Sequence, residues 1–187
     1  MRKERETPAP APSTPAAPVH LVADWPQKEY SAMLVRALKA HGSELLAATP
    51  ADHAKWCDNF AKADKLQFYL MLVSALARFE SGFDTNEKYV EDFEDSQGNS
   101  VVSRGLLQLS IESINGYGAG IKSVAELHDP EVNLRCGVLV LNRWIPRDGV
   151  VQGGSSGAWR GAARYWSPFR KADRIAAIQA KVRAACK

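Results

Sequence analysis

The chain has 187 residues, 45% of them hydrophobic and 24% charged, with a formal net charge of +3. That is enough length for one substantial core. The charge is too small to argue for a nucleic-acid partner, and no run approaches the roughly 18 consecutive apolar residues that a membrane span needs. Proline and alanine dominate the first stretch, and Met1–Glu6 is charged but leads into prolines rather than an apolar signal region. Residues 1–20 are therefore expected to be an extended tether and 21–187 one domain.

Pro26 is expected at a first helical position, with Tyr30, Met33, Leu34, Ala37, Leu38 and His41 following at helical spacing until Gly42. A short helix over Glu44–Ala48 and a link through Pro50 come next. Leu66–Gly82 carries Leu66, Tyr69, Leu70, Val73, Leu76 and Ala77 on one helix face, and Glu80 continues that series. Asp64 with Gln67 resembles a capping box, and Gly82 is a stop signal. Tyr89, Val90 and Phe93, the turn Asp95–Asn99, and Val101-Val102 predict a β-hairpin. Leu106, Leu107, Leu109, Ile111 and Ile114 predict a short helical segment before the glycine-rich turn Asn115–Gly120. Asp129-Pro130-Glu131 is a strong helix start, and the stripe Val132, Cys136, Leu139, Val140, Trp144 ends at Ile145-Pro146. Trp159–Trp166 predicts another helix, and Ile175–Cys186 the last. The sum is a mainly helical domain, a bundle around the helix of Glu80, with one small hairpin.

Charge is unevenly spread. Glu80–Asp95 has a balance of −6 and Arg143–Lys187 one of +8, so one surface is expected to be acidic and another basic. His20, His41, His53 and His128 are scattered, with no zinc spacing, so neither a metal nor a cofactor is expected. The Asn115–Gly120 turn has no strand leading into it and no Lys-Ser/Thr after it, which argues against a phosphate cradle. His53 and Cys57 lack the third group of a thiol nucleophile site. Cys57, Cys136 and Cys186 leave one over after any single bridge. A disulfide and none are both open, and Cys57 with Cys186 is the favoured pair because it would tie the last helix to the segment before the central one.

Glycoside cleavage needs one carboxylic acid held protonated near neutral pH. A glutamate at the end of an apolar helix face is desolvated, which raises its pKa. Around that glutamate, Glu80-Ser81-Gly82-Phe83-Asp84, then Ser103–Leu109 with its Gly-Leu-Leu-Gln, then Asp129-Pro130 with Asn133, then Ala163-Arg164-Tyr165-Trp166 resemble the ordered motifs of the lytic transglycosylase and goose-type lysozyme superfamily. The resemblance covers roughly residues 60–168. Asp84 stands where that pattern usually has asparagine, and Trp166-Ser167 replaces its Asn-Ala/Gly.

The resemblance implies an α+β lysozyme-like fold and an enzyme that cuts the MurNAc-GlcNAc β-1,4 bond of peptidoglycan, with Glu80 as general acid. It implies that Ser81 lies beside the scissile sugar, that Gln108 reaches the cleft from its turn and that Tyr165 contacts the catalytic carboxyl; these three, with Trp166 and Tyr117, are the expected substrate-binding residues. A lytic transglycosylase needs no second carboxylate, because the substrate's own C6 hydroxyl attacks. A hydrolase does, and Glu91 and Asp95 on the hairpin are the candidates. The acidic stretch suits a deacetylated, cationic glycan. A catalytically silent glycan-binding module on the same fold is the alternative. The expected partner is the glycan strand alone, with no nucleic acid and no membrane span, bound by a monomer in the periplasm or outside the cell.

Overall fold

The computed structural model describes residues 21–61 and 63–186, so the expected tether lies outside the described residues. The architecture is mainly helical with a small antiparallel hairpin. Its order is α1 (Lys28–His41), α2 (Ser43–Ala47), α3 (His53–Trp56), α4 (Lys65–Glu80), β1 (Lys88–Glu94), β2 (Ser100–Arg104), α5 (Ile111–Asn115), α6 (Pro130–Asp148), β3 (Gln152–Gly153), β4 (Arg160–Gly161) and α7 (Ala172–Ala185). Short 3-10 turns occupy Val124–His128, Ala162–Arg164 and Ser167–Arg170.

The central helix α4 is buried more completely than one apolar face would require. Phe68 through Ala77 are all buried, because α1 and α7 pack against α4 while α6 closes over α1. Each large side chain so enclosed contributes about 1.5–3 kcal/mol. Asp64 caps the helix by accepting from the Leu66 N–H at 2.8 Å. Gln67 does not complete a capping box; its amide instead exchanges two hydrogen bonds with the Val22 backbone, at 2.6 and 2.7 Å. Gly82, at φ +59°, takes the left-handed position that stops the helix two residues beyond Glu80.

Several predicted boundaries move. α1 begins at Lys28, so Pro26 precedes the helix rather than opening it. α6 starts on the Asp129 cap as expected but continues through Pro146 to Asp148, and Gly149 at φ +67° ends it. The proline falls in the last turn, where the missing N–H costs one bond and the chain is about to leave the helix. Leu106–Leu109 is a turn and not a helix, with Gly105 and Gln108 both at positive φ; only Ile111–Asn115 is helical there. Trp159–Trp166 is not a helix either. Arg160–Gly161 pairs with Gln152–Gly153, since Gly161 at φ +59° lies so close to the Val150 and Val151 carbonyls that no Cβ would fit.

Cys57 and Cys186 form a disulfide across 129 residues of chain, and Cys136 is free and buried. The bridge joins the end of α3 to the end of α7. Closing a loop of that length stabilises the fold by roughly 3–5 kcal/mol.

Candidate active site

The last turn of α4 opens into a cleft of about 720 Å³. One wall is the β1–β2 hairpin, contributing Glu87, Tyr89, Glu91, Asp92 and Phe93, and the other is the segment that follows β4, contributing Arg164, Tyr165, Arg170 and Lys171. Glu80 lies between them, half-buried at the end of its helix. Burial, and after it the negative charge of Glu91, push the Glu80 carboxyl up from 4.5 to about 8, while Arg170 and Lys171 pull the other way. The negative end of the α4 dipole acts in the same sense as burial. At pH 7 this carboxyl keeps its proton.

The structure separates the two candidate second carboxylates. Glu91 is the one partly buried residue of β1, and the Ser103 hydroxyl on β2 donates to it across the hairpin. Asp95 lies at the far end of the hairpin, where it accepts from the Gln97 and Asn99 backbone N–H groups and from the Asn99 side chain. Those bonds hold its carboxyl below the usual range. It does not line the cleft.

Beside Glu80 stands the turn Gly105–Gln108. Buried Asn133 on α6 holds it with every polar atom it has, accepting from the Leu107 N–H at 2.9 Å and donating to the Arg104 and Leu127 carbonyls at 3.0 and 2.8 Å. A Cβ at Gly105 would sit 2.1 Å from the Leu127 carbonyl oxygen, so only glycine allows this approach. Ser81 is a brace rather than a lining residue, its hydroxyl donating to the Leu106 carbonyl at 2.9 Å. The Trp166 indole also donates to this turn, to the Leu107 carbonyl at 2.9 Å, and Trp166 lines the cleft although it is only 2% exposed.

Gln108 is the polar residue of this turn that faces the cleft. Its Nε2 donates to the Gly105 carbonyl at 2.9 Å and the Glu87 carbonyl at 3.2 Å, which fixes the orientation of the amide. Its Oε1 is buried and has no protein partner. A buried acceptor left open in a cleft is a place for a ligand N–H or O–H. Tyr165 lines the cleft with its phenol at Ser110 and Ser113, and burial pushes that phenol above its ordinary value. Tyr117 does not line the cleft; it packs edge-on behind Tyr165, ring centres 6.2 Å apart, and accepts from the Trp144 indole N–H at 2.7 Å.

Sequence reasoning missed Asn133 as the clamp, Tyr89 and Phe93 as exposed aromatics on the cleft side of β1, and the cations of the opposite wall. Tyr89, Glu91, Asp92 and Phe93 all line the cleft because the pairing of β1 with β2 is irregular between Val90 and Glu94, which a two-residue period in the sequence does not reveal. A second cavity, about 610 Å³, lies behind α4 among Val22, Met71 and Ala184, and its Asp24 is already paired with Arg78 and Lys181 at 2.7 Å each. Nothing there resembles the cleft chemistry.

No family model and no curated protein matches the chain. Solved structures do match. Bd0314 DslA in a wild-type form is 44% identical with a TM-score of 0.81, and two glutamate-to-glutamine mutants of it are 43% and 42% identical with TM-scores of 0.81 and 0.80. Each match covers 86% of this chain and 92% of the DslA chain. The two mutated glutamates of DslA are eleven positions apart in that protein.

Proposed function

The chain belongs to the family of Bd0314 DslA, and from that membership and the cleft we propose that it is a peptidoglycan-cleaving muramidase of the lysozyme and lytic transglycosylase superfamily. The observation that carries the reading is the placement of Glu80, a half-buried carboxyl at the end of a rigid buried helix that lines one open cleft with Glu91, and its burial favours the protonated form. Glu80 donates its proton to the leaving glycosidic oxygen, and the carboxylate of Glu91 takes the proton of the water that attacks the anomeric carbon as the glycosidic bond breaks. Gln108 Oε1 accepts from the sugar bound beside the acid. The eleven-residue spacing of the two glutamates mutated in DslA is also the spacing of Glu80 and Glu91, which supports the pairing.

Of the two chemical outcomes, hydrolysis is the one we favour over an internal 1,6-anhydro product, because a second carboxylate lines the cleft and an anhydro reaction has no need of one. The wall formed by Glu87, Glu91 and Asp92 favours a glycan with free amino groups, since deacetylated glucosamine carries an ammonium. The Cys57–Cys186 bridge supports action in an oxidising compartment, the periplasm or the exterior of the cell. The decisive experiment is Glu80→Gln on deacetylated and acetylated sacculi. A loss of roughly 10²–10⁴-fold in cleavage with an unchanged circular dichroism spectrum is expected. An unimpaired variant would leave only a binding module. Mass spectra of the fragments decide the outcome, a hydrolysed reducing end being heavier than an anhydro end by one water.

A further inference from the structure

The wall opposite the acidic hairpin has a surplus of positive charge that cutting a glycan backbone does not require. Arg164 is matched by Asp148, which accepts from it at 2.6 and 3.0 Å. Arg170 and Lys171 have no carboxylate partner among the described residues; Arg170 donates to the Ala163 and Arg164 carbonyls, which leaves its charge uncompensated. The basic surface then leaves the cleft by way of Trp144. Arg164 lies 4.5 Å from the centre of that indole, Arg147 lies 5.0 Å and Arg143 5.9 Å from it. Arg143 and Arg147 are exposed and likewise unpaired among the described residues. Three guanidiniums gathered on one ring with a single carboxylate between them repel one another, and an anion laid along them relieves that repulsion.

Resting on the peptidoglycan reading above, we propose that Lys171, Arg170, Arg147 and Arg143 form a track for the carboxylates that muramic acid carries away from the glycan backbone. Those carboxylates have two sources, the stem peptide on the lactyl group or the lactyl carboxylate itself where the peptide has been removed. The cleft is thus bipolar: the hairpin faces the ammonium of the glucosamine ring, and the opposite wall faces the anionic substituent of its neighbour. Reach distinguishes the sources. A lactyl carboxylate stays close to the sugar and meets Lys171 and Arg170, whereas a peptide extends past Tyr165 to Arg147 and Arg143.

The test is binding, measured by calorimetry at low salt with the full chain carrying Glu80→Gln, against deacetylated glycan fragments with stem peptides and against the same fragments stripped to lactyl carboxylates. Lys171→Gln is expected to weaken both ligands about three- to fivefold, and Arg143→Gln with Arg147→Gln to weaken the peptide-bearing ligand alone by about fivefold or more. Raising the salt to about 0.5 M should shrink both differences. An effect of Lys171→Gln without one from the arginine pair assigns the lactyl carboxylate as the anion. Affinities within twofold for every variant overturn the track and leave the glycan reading standing. Failure of the parent protein to bind either fragment overturns both. The changed side chains are exposed, and a thermal melt of each variant confirms that it is folded.

Discussion

The Gly105–Gln108 turn and the β1–β2 hairpin form neighbouring parts of one cleft and are held in opposite ways. The turn is fastened from three directions, by Asn133 on α6, Ser81 at the end of α4 and Trp166 beyond β4, and its leucines are fully buried. The hairpin has an exposed outer strand, with Tyr89, Val90 and Phe93 all more than half exposed, and its far end is closed by the local bonds of Asp95. The acid and the unpartnered Gln108 acceptor rest on the fastened side, while the acidic and aromatic residues of the hairpin wall sit on the loose side. Chemistry needs positions held to a fraction of an ångström. Recognition of a polymer tolerates an adaptable edge.

Breaking the fastened side should have the largest effect. Asn133→Ala removes three hydrogen bonds and leaves buried backbone groups unpartnered, and a loss of roughly 3–5 kcal/mol is expected in urea unfolding, with cleavage lost alongside it. A loss below about 1 kcal/mol would mean that the turn holds its own shape.

The acid itself carries a stability cost with a definite sign. Glu80 has a raised pKa in the fold, so between about 4.5 and about 8 the folded state keeps a proton that the unfolded chain releases. Stability therefore falls as pH rises through that window and levels off above it. Glu80→Gln should remove the slope and raise stability at pH 8.5 by roughly 2–4 kcal/mol relative to the native chain, while the two converge near pH 4. Parallel Tm-against-pH curves for the two proteins would refute this.

The hairpin reaches the acid through charge. Glu91→Gln is expected to lower kcat by roughly 10²-fold or more, and because it also removes the second cause of the raised Glu80 pKa, the alkaline limb of the residual kcat should move to lower pH, by roughly one unit at most. A limb that stays in place would show that the Glu91 charge does not act at that distance. Smallest of all is the stability effect of Tyr89→Ser with Phe93→Ser, expected within about 0.5 kcal/mol because both rings are exposed, with a KM for glycan raised several-fold. An unchanged KM would remove these rings from glycan recognition.

Local chemistry alone determined a good share of this protein. The Asp64 and Asp129 caps, the glycine stops at Gly42 and Gly82, the hairpin about Asp95–Asn99 and the mainly helical class follow from bonds and torsions that span four residues or fewer. So does the position of Glu80 at the end of an apolar run. Only the tertiary structure decided that Phe68–Ala77 is enclosed on all sides, that Leu106–Leu109 turns rather than coils, that Arg160–Gly161 pairs back on β3, and that Glu91 and not Asp95 lines the cleft with the acid. The physical reason is the same in each case. These features depend on partners far off in the chain, Asn133 for the turn, the Val151 carbonyl for Gly161, Ser103 for Glu91, and hydrophobic periodicity records which face is apolar without recording what will come to lie against it.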